Sequence, residues 1–232
     1  MKIGIMQPYF FPYLGYWQTI KAVNKFVVYV DVNYIKGGWV NRNNILVNGN
    51  AHLITLALKD ASPNKKINEI EILDSFKNKT KILSSIRNSY SRAPYFQNTF
   101  KLLEDIINFQ ENNLGLFLFN QIMAVSSFLN LNTELILSSE INNEKDLKAD
   151  TKVIQICNHL KGVEYINAIG GQDLYSKKVF KNNNIDLYFI KMGDIKYNQN
   201  SNQFISNLSI IDLLMFNSKD EVNRMLDNFE LI

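Results

Sequence analysis

The feature that most constrains the fold is a strand–helix–strand pattern in the first 32 residues. Residues 2–6 (KIGIM) form an apolar run, residues 12–23 repeat apolar side chains at helical spacing, and residues 26–32 (FVVYVDV) are rich in β-branched side chains. A β-α-β unit of this length joins two parallel strands through a right-handed crossover. The N-terminus therefore predicts the start of a parallel sheet.

The rest of the chain continues to alternate strands with helices. We predict a loop at 34–44 around Gly37-Gly38, and a helix that is N-capped by Asp150 or Thr151. The other predicted elements are strands at 51–58, 67–73, 134–138, 164–168 and 185–192, helices between about 75 and 130, and a helix at 208–217. This alternation indicates an α/β fold with a mainly parallel sheet and an added helical layer. We expect one domain over residues 1–232.

Composition excludes several classes of protein. A net charge of +3 suits a small anionic ligand, but it lacks the dense cationic stripe of a nucleic-acid-binding protein. The single cysteine, Cys157, rules out a disulfide framework, and two distant histidines, His52 and His159, suggest no metal site. Without a signal-peptide pattern or an apolar run long enough to span a bilayer, we expect a cytoplasmic protein with no membrane span.

Residues 7–17 (QPYFFPYLGYW), here called the aromatic corner, lie between the first strand and the first helix. They contain two of the four prolines and six large rings. In parallel sheets ligands bind beyond the carboxyl ends of the strands, which is where this segment falls. The rings therefore have two possible roles, in packing or in holding a base, a sugar or an acyl group.

Other candidate site residues follow later strands. Asp31 lies in an otherwise apolar run and needs a partner if it is buried, for which Arg42 is a candidate. Gly170-Gly171 follows the strand at 164–168 but lacks the spacing of a phosphate-binding loop. Cys157 and His159 are two apart on a predicted helix, so they do not face each other as a catalytic pair would.

Five ordered blocks along almost the whole chain resemble the WbqC-like protein family. They are IGIMQPYFFPYLGYWQTI, VDVNYIKGGWVNRNNI, NSYSRAPYF, GVEYINAIGGQDLYSKKVFKNNNID and YNQNSNQFISNLSIIDLLMFN. The family's genes look like members of bacterial surface-polysaccharide (O-antigen, lipopolysaccharide) clusters. The resemblance implies an N-acyltransferase that moves an aminoacyl group, glycine, to a dTDP-linked 4-amino-4,6-dideoxy sugar.

A second resemblance concerns the fold. The step Tyr13-Leu14-Gly15-Tyr16 opens a helix where the Rossmann-related, nucleotidyltransferase-like layout carries H-x-G-H. Both histidines are tyrosines here, which favours an acyl donor bound to a carrier protein as a thioester over an adenylate made from ATP and Mg²⁺. A nucleotidyltransferase or ATP-dependent ligase, and a non-catalytic nucleotide-sugar-binding protein, stay open as alternatives.

The predicted site has two halves that we expect to meet in one pocket. Asp31, Tyr13 and Arg42 are the catalytic candidates. The substrate-binding candidates are Gln7, Tyr9, Gly15, Tyr16, Trp39, Asn41, Gly170, Gly171, Tyr175, Tyr197, Gln199, Ser209 and Asp212. Asp31 would accept a proton or position the amine, while Tyr13 and Arg42 would hold a phosphate or the oxyanion.

Overall fold

The computed structural model describes residues 1–73, 76–141, 149–201 and 203–232. Its strands are β1 (Lys2–Met6), β2 (Lys25–Val28), β3 (Arg42–Val47), β4 (Asn50–Thr55), β5 (Leu58–Lys59), β6 (Glu71–Ile72), β7 (Glu134–Leu137), β8 (Glu164–Ala168), β9 (Asp186–Met192) and β10 (Phe229–Leu231). Its α-helices are α1 (Leu14–Lys21), α2 (Phe76–Tyr90), α3 (Phe96–Ile107), α4 (Leu114–Phe128), α5 (Ala149–His159), α6 (Lys177–Lys181), α7 (Ile210–Phe216) and α8 (Lys219–Leu226).

A six-stranded sheet with the order β10-β9-β8-β1-β2-β7 forms the centre of the fold. All its pairings are parallel except that of β10 with β9. Numbered along the chain, the five parallel strands lie in the order third-second-first-fourth-fifth, which is a doubly wound arrangement. The mainly parallel α/β sheet is thus confirmed, and the nucleotidyltransferase-like assignment stays a prediction.

Two apolar cores cover the two faces of the sheet. On one face Tyr16, Trp17 and Ile20 of α1 pack in a core that also contains the apolar faces of α2, α3, α4, α7 and α8. On the other face α5 and α6 pack against Ile3 and Ile5 of β1. The helical layer predicted between about 75 and 130 is therefore α2, α3 and α4, and it covers the α1 face.

Three predicted boundaries are wrong. The strand predicted to reach residue 32 ends at Val28, because the backbone of Val30 and Val32 turns away to hydrogen-bond residues 67 and 68. The segment 67–73 accordingly begins as a 3-10 helix, Ile67–Glu69, before β6. The predicted loop at 34–44 already enters β3 at Arg42.

The predicted N-cap of α5 is also wrong. The helix already contains Asp150 and Thr151, so neither residue precedes it. None of the helices in the described residues is both long and apolar enough to cross a bilayer.

Buried polar side chains from distant elements hold the backbone of the aromatic corner. Phe11 has a left-handed φ of 44°, which a bulky residue adopts only when its surroundings enforce it. Asn43 Nδ2 donates to the carbonyl oxygens of Phe10 at 3.1 Å and Phe11 at 2.8 Å. Ser209 Oγ donates to the same Phe11 oxygen at 2.8 Å. These contacts fix the strained turn between β1 and α1.

Gln121 of α4 completes this set of contacts to the backbone of the aromatic corner. Its Oε1 accepts the Phe11 N–H at 3.0 Å, and its Nε2 donates to the Tyr9 carbonyl oxygen at 3.1 Å. Gln121 is fully buried and its bond to Phe11 is buried too, so the Phe11 N–H has no access to water as a substitute partner. We call Asn43, Gln121 and Ser209 the corner clamp.

Replacing Gln121 by Ala should lower the free energy of unfolding by about 2–4 kcal/mol, because the buried Phe11 N–H and the partly buried Tyr9 carbonyl lose their partner and a cavity is left. Urea unfolding followed by tryptophan fluorescence measures the loss. Gln110→Ala is the matched control, since that side chain is exposed and should cost less than about 0.5 kcal/mol. Equal losses of unfolding free energy in the two variants would contradict a stabilising role of the Gln121 hydrogen bonds.

Candidate functional site

The carboxyl ends of β1, β8 and β9 meet where the strand order reverses. The chain runs outward from β1 to β2 and β7, and then returns to β8 on the other side of β1. A cavity of about 450 Å³, here called the switch-point cavity, opens at this position. It is lined by Tyr9, Tyr13, Gly15, Trp39, Asn43, Ala168, Ile169, Ile190, Met192 and Asn207. Open α/β sheets bind ligands at such a switch point.

The rings of the aromatic corner divide between the core and this cavity. Phe10, Phe11, Tyr16 and Trp17 are fully buried. Tyr9 and the N-cap residue of α1, Tyr13, are only partly buried and form part of the cavity wall. Most of the rings are thus packing residues, and two are available to a ligand.

Hydrogen-bonding groups on the wall are phenols and amides. Gln7 Nε2 donates to Tyr9 Oη at 3.1 Å, so the phenol proton of Tyr9 is left for a ligand. Burial, with a contribution from nearby Tyr9, raises the pKa of Tyr13, which keeps this phenol neutral and able to donate. Among the described lining residues none carries a charge at neutral pH.

Gly15 lets the ring of Tyr13 lie against the first turn of α1. A Cβ atom at position 15 would be 2.7 Å from that ring, closer than real contacts allow. Within the described residues, no side chain caps the first turn of α1, which also contains no acidic residue. The N–H groups of this turn at the cavity wall favour an anion such as a phosphate.

Trp39 forms the outer rim of the cavity and is 45% exposed. Its backbone carbonyl oxygen accepts the Phe10 N–H at 3.1 Å, which joins the loop before β3 to the aromatic corner. An exposed indole beside an opening offers a flat surface on which a base or a sugar can stack.

Several predicted site residues lie behind the wall. Ser209 belongs to the corner clamp. Asn41 is buried, accepts from Tyr34 Oη at 2.9 Å and donates to the Leu56 carbonyl oxygen at 2.8 Å. Arg42 donates to the carbonyl oxygens of Gly37 and Gly38 and so shapes the loop that carries Trp39.

Asp31 lies apart from the switch-point cavity. Its carboxylate accepts from Lys152 Nζ at 2.6 Å and from Ser138 Oγ, so the expectation of Arg42 as its partner is wrong. The Lys152 ammonium also lies 5.0 Å from the centre of the Tyr29 ring. Lys152 belongs to α5, which covers the face of the sheet opposite α1.

Tyr175 lies on that same face. It packs edge-on against Tyr165 and Phe180, with ring centres 5.8 Å apart in each case. Gly170 and Gly171 lie in the 3-10 helix Ile169–Gly171, which follows β8 directly behind the wall residue Ile169.

A buried carboxylate, Asp212, organises the other predicted half-site. It accepts from Tyr90 Oη at 2.8 Å, Tyr197 Oη at 2.6 Å and Gln199 Nε2 at 2.9 Å. Burial raises the pKa of Asp212, although these three hydrogen bonds oppose the shift. Tyr197 also lines a small depression of about 40 Å³ that shares Tyr13 with the switch-point cavity.

The two predicted halves therefore meet only in part. The structure brings Tyr9, Tyr13, Gly15 and Trp39 together in the cavity wall, with Tyr197 beside them. Neither Asp31 nor Asp212 lines that cavity, because each carboxylate is turned into its own hydrogen-bond network.

The sequence reasoning missed six wall residues: Asn43, Ala168, Ile169, Ile190, Met192 and Asn207. Met192 ends β9, so the rule that ligands bind beyond strand ends, already used for β1 and β8, would have found it. Asn43 lies two residues after Asn41, at the spacing that returns a side chain to the same face of an extended chain. The sequence gives no comparable signal for Asn207.

Fold and cavity together define a doubly wound α/β protein with a ring-lined cavity at its switch point, whose described lining residues carry no charge. Among known proteins, the sequence model of the WbqC-like protein family matches residues 7–224, and the chain belongs to this family. It is 27% identical over 216 residues, 92% of both chains, to Uncharacterized protein Rv1507c of Mycobacterium tuberculosis (strain ATCC 25618 / H37Rv). No solved structure matches the chain.

Replacing Gly15 by Ala should change the cavity far more than the fold. The added methyl group displaces the Tyr13 ring, while alanine gains about 1 kcal/mol over glycine in helix propensity. Thermal unfolding should therefore stay close to that of the wild type, and crystal structures of both proteins should show the Tyr13 ring moved. Gly170→Ala, where a Cβ atom meets nothing within 4 Å, is the control. An unmoved Tyr13 ring would contradict this account.

Asp31 and Asp212 should contribute to stability with opposite pH dependence. Burial raises the pKa of Asp31, but Lys152 and Ser138 more than offset it, so the folded-state pKa lies below the ordinary value of 3.8. Its stabilising contribution is present above that value and is lost as the pH falls through the lowered pKa. The pKa of Asp212 is raised, so its contribution is largest below 3.8 and declines as the pH rises through the raised pKa.

Urea unfolding of Asp31→Asn and Asp212→Asn between about pH 3 and pH 7 tests this contrast. The destabilisation caused by Asp31→Asn should grow as the pH rises, and that caused by Asp212→Asn should shrink. If the destabilisation changed with pH in the same direction for both variants, the pKa shift of one of the two carboxylates would be wrong.

Proposed function

We propose that this protein transfers a glycyl group to the amino group of a dTDP-linked 4-amino-4,6-dideoxy sugar in bacterial surface-polysaccharide synthesis, with the nucleotide sugar bound in the switch-point cavity. The observation that carries the binding step is the cavity wall itself, where Tyr9, Tyr13 and Trp39 surround an opening beside the first turn of α1. The identity of the sugar and of the acyl group is what the resemblance to the WbqC-like family implies, since the family's genes look like members of surface-polysaccharide clusters.

The wall offers one group for each part of such a ligand. The ring of Trp39 is available to stack on the base or the sugar. The N-terminal turn of α1, which contains no acidic residue, suits a phosphate of the nucleotide. Amide groups of Asn43 and Asn207 are suited to sugar hydroxyls, which both donate and accept hydrogen bonds.

The chemistry requires a neutral amine and a stabilised oxyanion. An uncharged cavity disfavours the ammonium form of the substrate amine and so increases the fraction of the nucleophile. The amine nitrogen then attacks the carbonyl carbon of a thioester, the C–S bond breaks, and the leaving thiolate takes up the proton that the nitrogen loses. In this proposal the Tyr13 phenol, which its raised pKa keeps neutral, donates to the oxyanion formed during this attack.

A specific observation favours a second candidate, a nucleotide-sugar-binding protein without catalysis. The described wall residues include no aspartate, glutamate, histidine, lysine or cysteine that would serve as a side-chain base or nucleophile. The third alternative, adenylyl transfer with ATP and Mg²⁺, is less favoured because Tyr13 and Tyr16 replace both histidines of the H-x-G-H step.

Mass spectrometry of a reaction with purified protein and a dTDP-linked 4-amino-4,6-dideoxyhexose tests the proposal. Glycine is supplied either as a carrier-protein thioester or free with ATP and Mg²⁺. A product heavier by one glycyl unit with the thioester supports the proposal, and product only with ATP favours the ligase. Binding of the nucleotide sugar without any product would favour the binding protein.

Two substitutions separate binding from chemistry. Trp39→Ala should weaken nucleotide-sugar binding about 10- to 100-fold in calorimetry, as expected for loss of one stacking ring. Tyr13→Phe should leave that affinity within a few-fold but lower kcat about 100-fold, as expected for loss of an oxyanion donor. Tyr95→Ala, which removes an exposed ring that does not line the cavity, is the control. Unchanged nucleotide-sugar affinity in Trp39→Ala would show that the nucleotide sugar does not bind in this cavity.

A further inference from the structure

Charge is distributed unevenly along this chain. Residues 75–103 contain six of the 25 lysines and arginines and none of the 22 acidic residues. The remainder of the chain therefore has more acidic than basic residues, so the mild overall positive charge arises from one segment. That segment is α2, the start of α3 and the turn between them.

Five of these cationic side chains are exposed, and one of them, Lys101, is paired with Asp105. The other four, which together we call the cationic surface, are Lys77, Lys81, Arg87 and Arg92. The opposite side of α2 is buried through Ile82, Ile86 and Tyr90. The surface is therefore held on a helix that is anchored in the core, and its orientation is fixed relative to the rest of the fold.

Most of the cationic surface has no acidic partner among the residues that the structure describes. Within the described part of the chain, Lys77, Lys81 and Arg92 form no ion pair, and Arg87 packs its guanidinium 4.4 Å from the centre of the Phe100 ring. Some other exposed lysines of this chain are paired, as Lys181 is with Asp186 and Lys101 with Asp105. Helices also favour acidic residues near their N-terminus, whereas the first turn of α2 has none.

The helix that carries this surface is linked to the rim of the switch-point cavity through the β3–β4 hairpin. Asn78 of α2 donates to the Thr55 carbonyl oxygen at 3.2 Å and accepts the Ala57 N–H at 3.0 Å. Thr55 is paired with Arg42 across the β3–β4 hairpin, and Arg42 holds the loop of Trp39. Residues 32–59 likewise contain no acidic residue. The segment that links α2 to the cavity rim therefore presents no acidic side chain that would repel an acidic partner bound to α2.

We propose that the cationic surface is the docking site of an acidic carrier protein that delivers the acyl group, as a thioester on a flexible arm, to the switch-point cavity. This inference rests on the proposed function and adds its partner. Charge complementarity identifies an acidic macromolecule, because unpaired charges on a rigid surface steer an oppositely charged partner and fix its orientation. An anionic membrane fits less well, because α2 buries its apolar side through Ile82, Ile86 and Tyr90 and leaves a single large apolar side chain, Phe76, exposed.

The test measures binding of a purified, strongly acidic acyl carrier protein in its phosphopantetheine form, by biolayer interferometry at low and at physiological salt. The variant is Lys77→Glu/Lys81→Glu. The control is Lys177→Glu/Lys178→Glu, which makes the same change of net charge at two exposed lysines on the opposite face of the sheet. Calorimetry with the nucleotide sugar is run on all three proteins.

Lys77→Glu/Lys81→Glu should weaken carrier binding at least about tenfold at low salt, with the control close to wild type and the nucleotide-sugar affinity unchanged in both. Equal losses in variant and control would overturn the docking site, since only net charge would then matter. Absence of carrier binding to the wild type at low salt would also overturn it. If the wild type binds phosphatidylglycerol vesicles but not the carrier, and Lys77→Glu/Lys81→Glu loses the vesicle binding, the surface would be a membrane-binding site instead.

Failure of this inference and failure of the proposed function give different results. If the nucleotide sugar binds and accepts glycine from a small thioester while the carrier does not bind, only the docking site is wrong. If the carrier binds through the cationic surface and the nucleotide sugar does not bind, the partner is kept and the substrate is wrong.

Discussion

The rest of this structure depends on the hydrogen bonds by which the corner clamp holds the aromatic corner. Prolines at 8 and 12 keep this segment out of regular structure, so its backbone groups need side-chain partners. Asn43, Gln121 and Ser209 supply them from β3, from α4 and from the start of α7. Each such buried group would cost about 1–3 kcal/mol if left unpaired. The clamp thereby ties the hairpin, the helical layer and the C-terminal helices to the end of β1.

That constraint also determines the shape of the switch-point cavity. Because Phe10 and Phe11 are drawn into the core, the rings on either side of them, Tyr9 and Tyr13, remain at the carboxyl edge of the sheet. Asn43 serves both purposes, since it belongs to the clamp and lines the cavity. The turn that stabilises the fold is therefore the same turn that presents phenols to a ligand.

The described residues that line this cavity carry no charge, and two carboxylates that were predicted to lie there have partners elsewhere. Asp31 is paired with Lys152 on the α5 face, and Asp212 is surrounded by neutral donors inside the α1 face. The cationic surface lies on the exposed side of α2 and in the turn after it, and α2 is joined to the cavity rim through the β3–β4 hairpin. An uncharged cavity beside a cationic surface suits a neutral nucleophile and a charged partner, which is the division of roles that we propose.

The sequence by itself determined the elements whose signal is local. Apolar periodicity predicted β1, α1, the helices after residue 75 and the strands that form the parallel sheet, and the aromatic corner was placed correctly at a strand end. Tertiary structure decided which polar residues meet. Asp31 was assigned to Arg42, but Lys152, 121 positions away, reaches it because α5 crosses the far face of the sheet. Likewise Gln121 and Ser209 reach Phe11 only after α4 and α7 join the apolar core on the α1 face of the sheet. Contacts between residues so far apart in sequence depend on how helices and strands pack, and a local sequence pattern does not predict that packing.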